Sequence, residues 1–321
     1  MRLFFRKKKA PELIGLDDEK KWINSSPLSL DRLGGKVVLL DFWTYSCVNC
    51  IRTLPALKTI WEKYKDKRLV LIGIHTPEFE FEKEMGNVKY AVKKHGLKYP
   101  VVNDPERKNW HNYGNKYWPR ATLINTEGDV IFEHIGESSY DEIEEKIIEE
   151  LIILKELQEG KTKIINEDKR LYNKSISKET YIGKARNKGF NSRVVCKPGV
   201  CNEYIDIGRY EKDKINLQGH WELYDEYAEF KGDKGWITIK FYASELNLVL
   251  SGIGMAEVLL DGEGLSKKNC GRDVSSIGKK SYVKVDGADM YNLINNRDDY
   301  IEGVLKIIPF GGMKVYAFTF G

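Results

Sequence analysis

The sequence predicts an α/β domain whose sheet is buried on both faces, followed by an all-β, jelly-roll-like sandwich. Three observations predict it. At 321 residues the chain has room for two domains of about 150 residues each. Its first half alternates continuous apolar runs with helical periodicity, the pattern of strands covered on both sides. Beyond position 180, short β-rich runs recur between Gly and Asp turns with little helix between them, as in antiparallel sandwiches.

Residues 36–43 and 69–75 are the two continuous apolar strands. Residues 122–125 and 130–134 flank Glu127-Gly128-Asp129, a hairpin signature. Helices are expected over 51–64 and over 88–95, the latter stopped by Gly96. Ser139-Tyr140-Asp141-Glu142 reads as a capping box. It opens a helix with Ile143, Ile147, Leu151 and Leu154 on one face, ending near Gly160. Residues 161–180 are polar and aperiodic, and read as a linker between a domain at 1–160 and another at 181–321. The second domain's expected strands are 236–241, 246–250, 257–260, 281–285, 304–308 and 315–320.

Lys and Arg exceed Asp and Glu by 52 − 48 = 4, and 31% of residues are charged. This balance excludes a disordered acidic tail and supplies no basic field for nucleic acid. No apolar run approaches the roughly 18 residues that span a bilayer, so no transmembrane segment is expected. The basic cluster at 6–9 is not followed by a signal peptide's apolar core. Taken at face value the chain is cytoplasmic, and extracytoplasmic if its start is truncated.

Five cysteines are too few for a disulfide scaffold, but four form close pairs: Cys47/Cys50 and Cys196/Cys201. Cys47-Val48-Asn49-Cys50 lies where a buried strand gives way to a helix. A two-residue spacer places both sulfurs within disulfide reach across the first turn. Unsatisfied N–H groups and the positive helix end then favour the thiolate of Cys47, the attacking species in disulfide exchange. Cys50, beneath it, is the resolving thiol. A structural zinc takes a second pair about 15–20 residues away, which is missing here, so no metal or other cofactor is expected.

Asp41 lies six residues before Cys47 in an otherwise apolar run. A desolvated carboxyl there exchanges a proton with Cys50 during resolution; the plainer alternative is a strand-end aspartate bonded to backbone amides. Trp118-Pro119 precedes the strand at 121–125, and a cis bond there would present the Trp118 backbone to a substrate strand. Glu78, Glu80 and Glu82 follow Pro77 and read as the start of a helix, or as charges tuning Cys47. His75 follows the second core strand, His111 reads as a packed surface histidine, and neither enters the catalytic set.

In the order Val37 to Trp43, Cys47, Cys50 and Pro55, the chain resembles a thioredoxin-fold oxidoreductase. The resemblance puts the family's buried Asp at Asp41 and its cis Pro at Pro119. The departure is Ser46-Cys47-Val48-Asn49-Cys50 where thioredoxin has Trp-Cys-Gly-Pro-Cys. The insert at 75–117 is similar to TlpA/ResA-like redoxins. The stretches 43–55, 75–82, 117–119 and 316–321 resemble the soluble part of DipZ-type cytochrome c biogenesis proteins, in which a thioredoxin-like domain precedes a sandwich resembling a carbohydrate-binding module. The resemblance implies protein thiol and disulfide substrates and an external electron donor or acceptor.

Two other functions fit parts of the sequence. Thr44-Tyr45-Ser46-Cys47 with Arg120 suits a thiol peroxidase that polarises peroxide for Cys47, although Asp41 stands where the peroxidase motif has Pro. Trp221, Trp236, Tyr282 and Tyr291 would make a stacking platform if the sandwich binds a glycan or a protein ligand. Cys196-Lys197-Pro198-Gly199-Val200-Cys201 brackets a Pro-Gly turn, which brings its cysteines face to face. They are a candidate second redox pair, a loop staple or two free thiols. Cys270 carries no reading.

Overall fold

The computed structural model describes residues 8–158, 160, 164, 175–197, 200–296 and 299–321. Residues 6 and 7 of the basic cluster, the Pro198-Gly199 turn, and positions 161–163 and 165–174 of the expected linker lie outside them. The chain divides into two compact units, Met1–Leu171 and Tyr172–Gly321.

The first unit runs β1 (Lys8–Lys9), β2 (Trp22–Ile23), β3 (Val37–Trp43), α1 (Val48–Tyr64), β4 (Leu69–His75), α2 (Met85–Lys94), β5 (Val101–Asn103), α3 (Lys108–Asn112), β6 (Arg120–Ile124), β7 (Asp129–Ile135) and α4 (Tyr140–Ile153). The sheet order is β1-β7-β6-β3-β4-β5-β2. β3, β4 and β5 are parallel, and β6 and β7 antiparallel. Central β3 is buried along its whole length, which is why its sequence is apolar but for Asp41. Alternation along a strand sends successive side chains to opposite faces. Val37, Leu39 and Trp43 enter the core with α1, α2 and α4, whereas Val38, Leu40 and Phe42 pack with Trp110 and Tyr113. Asp41 therefore falls on the α1 face, between Leu39 and Trp43.

Three local expectations are corrected. Ser139 caps nothing: its φ of 63° is left-handed, its side chain makes no cap hydrogen bond, and its hydroxyl faces the Glu142 carboxylate at 3.5 Å. The helix it precedes ends at Ile153, short of Gly160. The stretch from Ser175 already belongs to the second unit, where the Ser177 N–H donates to the Tyr242 carbonyl at 2.8 Å.

The second unit comprises β8 (Thr180–Tyr181), β9 (Arg193–Lys197), β10 (Val200–Ile205), β11 (Ile215–Leu223), β12 (Ala228–Phe230), β13 (Trp236–Ala243), β14 (Glu245–Ser251), β15 (Ile253–Leu260), β16 (Glu263–Gly264), β17 (Val274–Ile277), β18 (Lys280–Asp286), β19 (Asp289–Asn295), β20 (Ile301–Ile308) and β21 (Lys314–Phe320). Its neighbouring strands pair antiparallel, in the order β17-β18-β15-β20-β13-β11-β12-β21-β14-β19. β11 belongs to both layers of the sandwich. Its first half pairs with β13 and its second half with β12. Gly219 sits at the changeover with φ 91°, and a Cβ there would lie 2.4 Å from the Lys234 carbonyl oxygen. Ile239, Phe241, Val258 and Leu305 from one layer meet Leu248, Leu293, Val315 and Phe318 from the other in a single core.

Candidate active site

Cys47 is the N-cap of α1, and its extended backbone (φ −91°, ψ 114°) turns the chain out of β3 into the helix. It is half-buried, whereas Cys50, one turn along, is completely buried. Both are free thiols. Burial pushes the Cys50 thiol well above its ordinary range, and its hydrogen bond with Cys47 adds to the rise. A thiol so placed becomes a nucleophile only when a base takes its proton. Pro55 sits inside α1, and α1 is otherwise held to the sheet by Leu54, Leu57 and Ile60.

Asp41 is that base's candidate. Among the described residues neither carboxylate oxygen has a hydrogen-bond partner, so the alternative of an aspartate tied to backbone amides is overturned. Burial raises its pKa from 3.8 to about 7, and its charge acts on Cys50. Tyr99 and Tyr140 are pushed up by burial and feel both Asp41 and Cys50, which places all four groups in one apolar chamber. Gly73 pairs with Asp41 across the sheet. A Cβ on Gly73 would meet the Trp43 indole nitrogen and the Tyr99 ring at 3.1 Å, so glycine lets those rings close in.

In sequence Glu82 reads as the start of a helix or as a charge tuning Cys47; in the fold it has a larger part. It lies in a 3-10 turn, Glu80–Lys83, and is fully buried. Its Oε1 accepts the Thr44 hydroxyl at 2.5 Å, the Ser46 hydroxyl at 2.7 Å and the Ser46 N–H at 3.2 Å. Its Oε2 accepts the N–H groups of Glu78 and Phe79 at 2.6 and 2.9 Å. Burial raises the Glu82 pKa, and these donors oppose the rise. Five donors on one carboxylate fix the loop that carries Cys47. No local sequence signal reveals this, because Thr44 and Ser46 are 38 and 36 positions away.

His75 is also buried, stacked on Tyr45 with ring centroids 5.4 Å apart. Its Nδ1 lies 3.1 Å from Asn103 Oδ1, and burial lowers its pKa to about 4, so it is neutral near pH 7. His111 is exposed.

The Trp118–Pro119 bond is cis. Phe42 pairs with Arg120 in the β3/β6 register, so Pro119 stands beside Trp43 at the end of β3 where the Cys47 loop begins. Trp118 stacks on Trp110 at 4.0 Å, with the Arg107 guanidinium over both rings.

The peroxidase constellation does not assemble. The Thr44 hydroxyl is committed to Glu82. Arg120 donates to Glu133 at 2.6 Å and to the Tyr113 carbonyl at 3.1 Å. The aromatic platform does not assemble either, since Trp221 is in the sandwich core and packs on Phe230. Cys196 and Cys201 are joined by a disulfide.

Comparison with known proteins fits this geometry. Residues 8–152 match the family described as redoxin, and residues 177–321 match the thioredoxin-like C-terminal domain. The thiol-disulfide oxidoreductase ResA of Bacillus anthracis is 33% identical over 137 residues, which are 43% of this chain and 73% of ResA. The chain belongs to the redoxin family of thiol–disulfide oxidoreductases. Protein DipZ of Mycobacterium tuberculosis is 30% identical to this redoxin over 326 residues, covering 97% of the chain. The redoxin spans 43% of DipZ's length. No helix among its described residues is long and apolar enough to cross a membrane.

Proposed function

We propose that this redoxin exchanges its Cys47/Cys50 dithiol and disulfide with protein thiols through a mixed disulfide on Cys47. The Cys47 thiolate attacks a substrate disulfide, and one substrate sulfur leaves as thiolate. Asp41 then takes the Cys50 proton, and Cys50 attacks the Cys47 sulfur, releasing the second substrate sulfur. Trp118 and Pro119 line the substrate strand's approach. Electrons come from, or go to, an external donor or acceptor.

The observation that carries this reading is the pairing of a buried Cys50 with an unpartnered, buried Asp41 carboxyl whose pKa is about 7. An acid tuned near the working pH is suited to pass that proton both ways. The test is Cys50→Ser, which removes the resolving sulfur. The variant should hold disulfide-bonded target proteins as mixed disulfides through Cys47. Absence of any such adduct would refute the mechanism.

A further inference from the structure

We propose that the Cys196–Cys201 disulfide is a second redox site, a built-in substrate for the Cys47/Cys50 dithiol of this same chain or of a second copy. The proposal rests on the exchange chemistry proposed above.

Both cysteines are exposed, and they face each other directly in the β9/β10 register. The bridge has little to staple. It spans a sequence separation of only 5, and β9 is already laddered to β10 from Lys197 back to Arg193. Cross-linking so short a loop removes little freedom from the unfolded chain.

Its placement is that of a target. Among the described residues β9 pairs with β10 alone, whereas β10 is flanked by β9 and β11. Cys196 therefore lies on a strand with a free edge, open to pairing by another backbone. Val194, two residues earlier and on the same face, is 43% exposed, and Val195 is 37% exposed. Apolar side chains left in water beside an accessible disulfide suit a binding surface more than a solvated rim.

The exchange balances without a further reagent. The Cys47 thiolate attacks the Cys196 sulfur, the Cys47–Cys196 bond forms, and Cys201 leaves as thiolate. Cys50 gives its proton to Asp41 and attacks Cys47, and Cys196 leaves as thiolate. The Cys47/Cys50 pair loses two electrons and the Cys196/Cys201 pair gains two. One chain then handles two dithiol couples, and the sandwich carries one of them.

The test follows opening of the Cys196–Cys201 bond in the full chain under dithiothreitol, by timed alkylation and peptide mass spectrometry. Wild type is compared with Cys47→Ser, and insulin reduction by wild type is measured in parallel. The expected result is opening at least tenfold faster in wild type. A rate independent of protein concentration marks exchange within a chain, a proportional rise marks exchange between copies, and both support the proposal. Equal opening rates alongside active insulin reduction overturn this inference and leave the proposed function standing. Equal rates with no insulin reduction overturn both.

Discussion

The Glu82 carboxylate accepts both the hydroxyl and the backbone N–H of Ser46, at 2.7 and 3.2 Å, and so grips the residue immediately before Cys47. A carboxylate with five donors cannot be copied by an amide, whose NH2 would face N–H groups. Glu82→Gln should lose about 2–4 kcal/mol of stability in urea melts, the cost of stranding buried donors. Its Cys47 alkylation rate should change as well. Glu80→Gln, two residues away, should leave both unaltered.

Asp41 makes stability depend on pH in a defined direction. Its pKa is about 7 in the fold against an ordinary value of 3.8, so the native state binds the extra proton between those values. Stability from this group is full below about pH 4 and falls as pH rises through 7. The loss is on the order of 4 kcal/mol. Asp41→Asn should therefore be markedly more stable than wild type at pH 8, with the difference collapsing near pH 4. The same variant should slow release of mixed disulfides by about 100-fold, the usual worth of a general base.

Cys47 and Cys50 should react unequally. Cys50 is buried and its thiol is pushed well above the ordinary range. Native reduced protein at pH 8 should take up iodoacetamide at Cys47 at least 100-fold faster than at Cys50, read by peptide mapping. Denaturant should erase the gap.

The sandwich depends on Gly219. A Cβ would fall 2.4 Å from the Lys234 carbonyl oxygen on a backbone with φ 91°. Gly219→Ala should cost at least about 2 kcal/mol, measured on the full chain, while the Cys47 alkylation rate stays unchanged.

The sequence and the structure agree where one local rule sets the outcome. β3 is read from a continuous apolar run because both its faces are covered, and Asp41 stands out because it breaks that run. The Cys47 helix start follows from spacing alone. β11 escapes the pattern because Asn216, Gln218, Gly219 and His220 interrupt it, its two halves serving different layers. Glu82 escapes because its partners come from β3's far end, a tertiary fact. Ser139 misleads because the chain enters α4 left-handed, so a correct motif meets the wrong backbone. The Cys196–Cys201 bond needs the β9/β10 register, which spacing leaves open.

On the proposed function, Cys47 and Cys50 form one reversible two-electron couple. Equilibrating the Cys196→Ser/Cys201→Ser variant in graded dithiol–disulfide buffers and counting alkylated thiols tests it most directly. One transition is expected, in which both sulfurs oxidise together, with a midpoint between about −270 and −120 mV. Oxidation of Cys47 alone, as a mixed disulfide with the buffer thiol while Cys50 stays a free thiol across the whole range, would contradict it.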